Sequence, residues 1–316
     1  MRAIPCIARR ALGGLAAVGT TLALLATTAA PAHAAALPEG GLADAVHAYL
    51  YSPNSVPGAN DWTCQPSATR PNPVILLPGT FANIGANFVK LSPRLKNAGY
   101  CVYAMNYGMT APSLGRIGGL GAITASAGEL DAFVNRVRSS TGAAKVDIVG
   151  HSQGGSVPMW WMKRMGNAGK VAHYVGIAPS SHGTDLNGIV ELAEDLRWLG
   201  FATDVANVLQ FPGVLDQQKY SAYTAQLWAD GNTVPAGPRY TVISTIWDTV
   251  VTPYTSQRLA GATVNNIVLQ DRCPWDAAGH VGVFNDGPTM QLVLNALRDG
   301  PANFQPFCWD YGLQFV

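Results

Sequence analysis

Three residue types that together perform nucleophilic catalysis occur in a usable order: Ser152, Asp248 and His280. Ser152 lies in Gly150-His151-Ser152-Gln153-Gly154, a G-x-S-x-G pattern. In that pattern a serine sits on a sharp strand-to-helix turn, and small flanking residues let the backbone make it. A serine hydroxyl is a weak nucleophile at neutral pH. It needs a base in hydrogen-bond reach, and the base needs an acid to hold its tautomer and stabilise the imidazolium. His280, in Ala278-Gly279-His280-Val281-Gly282, is the histidine downstream of the later strands and is the expected base. Asp248 follows a strand directly and is the expected acid, with Asp185 and Asp276 as alternatives. Of the other histidines, His151 is expected to point away from the serine and His173 to be a satisfied strand residue. His182 is a candidate cleft residue, and His47 lies too far upstream.

Such chemistry also needs two backbone N–H groups aimed at the developing oxyanion. One comes from the residue after the nucleophile, Gln153. The other is assigned to Thr80, in the loop Leu77-Pro78-Gly79-Thr80-Phe81, and the Thr80 hydroxyl could add a third donor.

The elements that must position these residues are legible. Val74–Leu77 is a continuous apolar run ending in Pro-Gly, as a buried central strand would be. Further strands are expected at 101–105, 145–149, 171–177, 240–245 and 264–269. Helices are expected at 88–96, broken near Pro93, and at 122–139, 156–165 and 288–297. Ala127, Leu130, Phe133, Val134 and Val137 recur at helical spacing. Alternating strands and helices over this length predict an α/β fold, a mostly parallel sheet flanked by helices.

Ser181 to Pro238 interrupts the alternation, with short helices expected at 186–199 and 203–211. An insertion of that size between strands is a candidate cap or lid over the site. Leu186, Ile189, Val190, Leu192, Leu196, Trp198, Leu199 and Phe201 give it an apolar side, and Glu191, Glu194, Asp195 and Arg197 a polar one. A rigid insertion packed on the sheet is the competing reading.

Residues 1–34 read as a signal peptide. Arg2, Arg9 and Arg10 precede the uncharged run Ala11–Ala26, and Ala32-His33-Ala34 offers a cleavage site. A retained anchor is the alternative. General secretion is favoured over the twin-arginine route that Arg9-Arg10 would suggest. Residues 35–316 then form one catalytic domain, secreted and extracellular. A net charge of +1 with 12% charged residues excludes a nucleic-acid footprint, which needs clustered Lys and Arg. Cys64, Cys101, Cys273 and Cys308 survive processing. An even number in an exported chain implies disulfides, and of three pairings the sequential one is the most economical. No metal-binding spacing occurs, and no cofactor is expected.

The chain resembles the secreted bacterial lipase class 2 family and, more distantly, the fungal lipase B type. The stretches that carry this are Val74–Phe81, Ala98–Cys101, Val149–Gly155, Gly176–Pro179, Asp248–Pro253 and Gly279–Val281. They agree in order and spacing over about residues 60–310. Many lipases carry His-Gly before the oxyanion residue. This chain has Pro78-Gly79, which the lipase B type shares. The resemblance implies an α/β-hydrolase fold with Ser152, Asp248 and His280 as triad and Thr80 and Gln153 as oxyanion hole. It also implies the bridges Cys64–Cys101 and Cys273–Cys308. The activity implied is ester hydrolysis, foremost of triacylglycerols, by a monomer acting on an ester or lipid substrate at a lipid–water interface. A polymer esterase or acyltransferase on the same triad, and a catalytically dead lipid-binding hydrolase fold, are the competing functions.

Overall fold

Six strands occur among the described residues: β1 (Val74–Leu77), β2 (Val102–Ala104), β3 (Val146–His151), β4 (Val171–Ile177), β5 (Arg239–Ser244) and β6 (Val264–Val268). A computed structural model describes Met1, residues 35–198 and residues 210–314. The expected leader, the helix expected at 203–211 and the side chain of Phe201 therefore lie wholly or almost wholly outside the described residues. The chain divides into Met1–Ala35 and Ala36–Val316, and all six strands belong to the second unit.

The strands pair in the order β2-β1-β3-β4-β5-β6, every pair parallel. β1 is buried at all four positions, which is why its sequence is a run and not an alternation. Helix α1 (Leu42–Tyr51) precedes the sheet. Helices α2 (Ile84–Asn87) and α3 (Leu91–Asn97) join β1 to β2, α4 (Ile123–Thr141) joins β2 to β3, and α5 (Gln153–Lys163) joins β3 to β4. Between β4 and β5 run α6 (Leu186–Trp198), α7 (Pro212–Asp216) and α8 (Ala222–Leu227). Helices α9 (Leu269–Arg272) and α10 (Gly287–Ala296) follow β6.

The helices split between the two sheet faces. α4 and α5 pack with Ile75, Leu77, Ile148 and Val242 in one core layer. α3 and α10 pack with Leu76, Val102, Val149 and Ile243 in the other. α4 turns Ile123, Ala127, Leu130, Val134 and Val137 inward at helical spacing and ends at Gly142, whose φ of 67° suits glycine. β1 and β3 are neighbours, yet the chain leaves β1 for one face and β3 for the other. A crevice therefore opens beyond their carboxyl ends, the usual ligand position in such sheets. Thr80 and Ser152 stand at that crevice, each just past its strand.

Two expectations are corrected. The helix expected at 88–96 breaks at residues 88–90, not near Pro93. Pro93 sits in the first turn of α3, where its missing N–H has no partner to lose. The helix expected from Ser156 begins at Gln153, directly after the serine. At the opposite end of the sheet His173 behaves as expected of a satisfied strand residue. Its ring bonds Asp147 and Asp299, each at 2.9 Å. Burial opposes charge on this ring, but the two carboxylates outweigh it and raise its pKa.

Candidate active site

Ser152 adopts φ 54° and ψ −124°, a conformation non-glycine residues rarely take. The reason for the flanking glycines is steric. A Cβ at Gly150 would run into the Gly154 carbonyl, and one at Gly154 into the Leu77 carbonyl. With α5 beginning at Gln153, its first N–H groups have no intrahelical partner and form the positive end of the helix beside the serine.

Asp248 and His280 meet on the loops beyond β5 and β6. His280 Nδ1 lies 2.8 Å from Asp248 Oδ2, and both side chains are fully buried. The aspartate is held rigidly. Its Oδ1 accepts the N–H groups of Val250 at 2.9 Å and Val251 at 2.7 Å. Its Oδ2 also accepts from Gln257 Nε2 at 2.7 Å. With Nδ1 committed to Asp248, His280 Nε2 is left as the basic nitrogen. It is buried without a hydrogen-bond partner among the described residues. The other candidate carboxylates are engaged elsewhere. Asp185 accepts from Gly188 N and Thr252 Oγ1, each at 3.2 Å. Asp276 pairs with Asp286.

The His151 ring bonds groups other than the serine, as expected, and ties the serine loop to the His280 loop. Nε2 lies 3.0 Å from the His280 carbonyl, and Nδ1 lies 3.1 Å from Asn87 Oδ1. That oxygen also accepts the Gly79 N–H at 3.0 Å. Complete burial, and secondarily the nearby His280, hold the His151 pKa well below its ordinary value. The ring is therefore neutral and donates to one of its two facing oxygens at a time. His182 is not among the residues lining the space at Ser152. It stacks on Trp228 at 4.5 Å and bonds the Ser256 carbonyl at 2.9 Å.

The Thr80 hydroxyl is oriented by a residue that sequence reading missed, Gln217. The Gln217 amide nitrogen donates to Thr80 Oγ1 at 2.9 Å and to the Gly213 carbonyl at 3.0 Å. Its oxygen accepts from Ser180 Oγ at 3.1 Å. The Thr80 hydroxyl in turn donates to Gln217 Oε1 at 3.2 Å, so it would have to turn from that oxygen to donate to a developing oxyanion. Gln153 Nε2 reaches the same Gly213 carbonyl at 2.8 Å. No local pattern marks Gln217, Gln257 or Asn87 as site residues.

The space against Ser152 is about 30 Å³, lined by Thr80, Asn87, His151, Leu192, Val281 and Phe284 among others. That admits water but not an ester. Leu192, on α6, contributes to this lining from the 181–238 insertion. No cluster of three or more metal-ligating side chains occurs among the described residues.

The loop that carries His280 is anchored through two buried carboxyls. Asp276 Oδ1 accepts the Ala278 N–H at 3.0 Å, and Asp286 caps α10 through Thr289 N at 2.7 Å. Burial and then the neighbouring Asp276 push the Asp286 pKa up to about 7, while burial raises that of Asp276. Between the ordinary carboxyl range and about 7, the folded state binds more protons than the unfolded one. Stability therefore falls as pH rises across that window and levels off above it. Asp276→Asn keeps the hydrogen bonds and removes one charge. It is expected to stabilise by about 2 kcal/mol at pH 8 and by much less at pH 4. Denaturant melts at both pH values check this, and an equal gain at both would contradict it.

A parallel sheet carrying a strained serine after β3 and an Asp–His pair beyond β5 and β6 defines an α/β-hydrolase fold. The lipase (class 2) family model matches residues 71–292, and the chain belongs to that family. Solved structures agree on the fold. Lipase B of Aspergillus fumigatus is 21% identical with a TM-score of 0.58, over 80% of this chain and 62% of its own. The chain thus spans less than two thirds of that lipase. The RedJ thioesterase of Streptomyces coelicolor is 15% identical with a TM-score of 0.50, over 80% and 100%. The metagenome-derived lipolytic enzymes LipS and LipT give a match at 14% identity and TM-score 0.50, over 77% and 99%. One fold carrying both a lipase and a thioesterase leaves the substrate to the site itself.

Proposed function

We propose that the protein is a secreted serine ester hydrolase, foremost a triacylglycerol lipase. Ser152 attacks the ester carbonyl and His280 Nε2 takes its proton. Asp248 steadies the imidazolium, and the N–H groups of Thr80 and Gln153 receive the oxyanion. His280 then returns the proton to the leaving alcohol, and water frees the acyl-enzyme. The observation that carries this reading is the 2.8 Å Asp248–His280 bond beyond the sheet edge that also bears the strained Ser152. One chain holds every residue invoked, so a monomer suffices. Two disulfides and the leader-like residues 1–34 support export. A serine-reactive alkyl phosphonate should form a stoichiometric adduct mapping to Ser152. A protein that hydrolyses esters yet carries no adduct there would overturn the assignment, and a folded protein that does neither would be a binding fold.

The 181–238 insertion we assign two roles. Its second half is bound to the site and to α5. Gln217 and Gln153 converge on Gly213, and Tyr223 donates to the Ser156 carbonyl at 2.9 Å. Its first half supplies the plug, because Ile189, Leu192 and Ala193 bury against Phe81, Val250, Val251 and Val281. That half acts as the lid and opens at a lipid surface that covers the apolar side it exposes. The rate on a short-chain ester should jump above its solubility limit. Leu192→Ser should raise the rate on dissolved ester several-fold and shrink the jump. Smooth saturation through the limit in both proteins would instead fit a rigid insertion.

A further inference from the structure

The His151 ring stands where three loops meet: its own after β3, the Gly79-Thr80 loop after β1 and the His280 loop after β6. It packs against the rings of Phe284 and His280, with centroids 4.6 and 5.0 Å away. A Cβ at Gly79 would lie 2.8 Å from His151 Nδ1 and 3.2 Å from Ser152 Cβ, so glycine is what lets the chain pass this close to both residues. Glycine's conformational freedom leaves the next peptide, which carries the Thr80 N–H, poorly aimed by the local chain. The Gly79 N–H is fixed from outside, by Asn87 Oδ1 at the end of α2, and the same oxygen faces His151 Nδ1 at 3.1 Å. At the other end of the ring, Nε2 reaches the backbone carbonyl of His280 and leaves the His280 ring to Asp248. His151 and Asn87 are both buried.

We propose that His151 and Asn87 are positioning residues that hold the Thr80 N–H and the His280 imidazole at a fixed spacing from Ser152, one ring bracing both loops. This rests on the ester-hydrolase reading. Neither residue gives or takes a proton in the reaction, and neither bonds the ester. The demand for a brace is geometric, since a misplacement of about 1 Å among reacting groups costs about a hundredfold in rate. Histidine meets the demand because its flat, rigid ring carries a polar atom toward each loop. Neutrality matters as well. His280 takes up positive charge in the reaction, and a cation at position 151 would oppose that across a ring separation of 5.0 Å. Burial supplies the neutrality. A neutral ring brings one N–H to its two facing oxygens, and the two sides can be probed apart. An asparagine amide reproduces the Nδ1 side and a glutamine amide the Nε2 side.

Three variants of the full chain, His151→Phe, His151→Asn and His151→Gln, test this on a dissolved ester. His151→Phe keeps an aromatic ring and removes both polar contacts. It should lower kcat by about 10²–10³ with KM within about twofold, because the loss falls on the transition state. His151→Asn and His151→Gln should each regain about tenfold of that loss, the worth of one hydrogen bond. Asn87→Ala removes the oxygen that Gly79 and His151 share, and it reads the same split of kcat against KM should His151→Phe not fold. Urea melts fix the folded fraction at the assay temperature. A ring with a merely structural role would leave kcat per folded molecule at the wild-type value, and that result overturns the proposal while leaving ester hydrolysis standing. A raised KM with kcat retained overturns it too, since the ring would then be a wall of the binding space. Asparagine and glutamine variants no faster than the phenylalanine variant would remove the bonding role. A wild-type protein inert on every ester removes the ester-hydrolase reading and the proposal with it.

Discussion

Asp248→Asn should lower kcat by about 10⁴ while the protein stays folded. The reason is tautomeric. Asp248 Oδ2 accepts from His280 Nδ1, which leaves Nε2 free of a proton and able to act as base. An asparagine amide turned toward Nδ1 would donate instead, fix the proton on Nε2 and remove the base. Its oxygen can still accept from Val250 and Val251, so the loop geometry survives. Ser152→Ala and His280→Ala should cost as much or more, and the double variant little beyond either single one, because the residues act as a unit. Burst kinetics and steady-state kcat on a soluble ester measure all four. Near-normal turnover in Asp248→Asn would move the acid role to Asp185 or Asp276, although both are engaged away from His280.

Loss of either disulfide is the largest expected effect on stability. The Cys64–Cys101 and Cys273–Cys308 bridges close sequence separations of 37 and 35 residues. In the chain-entropy model a loop of that size stabilises by about 4 kcal/mol through its restriction of the unfolded chain. The two bridges should differ in their effect on activity. Cys273–Cys308 brackets Asp276, His280 and Asp286, so the Cys273→Ser/Cys308→Ser variant should lose kcat even where it is fully folded. Cys64–Cys101 anchors the entry to β2 at the sheet edge, and its serine variant should lose stability with kcat retained. Urea melts paired with kcat at low temperature separate the cases. Equal kcat losses in the two variants would show that the bridge near His280 has no positioning role.

The range of the forces involved decides how much of this is legible in the chain. The strands at Val74, Val146 and Val171 and the helix at Ile123 are written locally, because burial on both faces of a sheet demands a short apolar run and burial along one helix face a helical period. The serine turn is local as well, since the steric need for Gly150 and Gly154 arises within a few residues and from the adjoining strand. Asp248 and His280 could be chosen because topology places such residues past strand ends in a known order. Helix α1 carries no strong local signal, and its place is settled only by what it packs against. Gln217, Gln257, Asn87 and the tether through His151 were decided by tertiary structure alone. Their partners lie 137, 9, 64 and 129 residues away along the chain, and a polar side chain carries no periodic signature of what it will bond. The raised carboxyl pair at Asp276 and Asp286 and the closed space under Leu192 belong to the same class. Burial and proximity exist only once the chain has folded. The sequence by itself determined the fold and singled out Ser152, Asp248 and His280 as the proposed trio; the packed molecule decided how Asp248 and His280 are paired and how the three are enclosed.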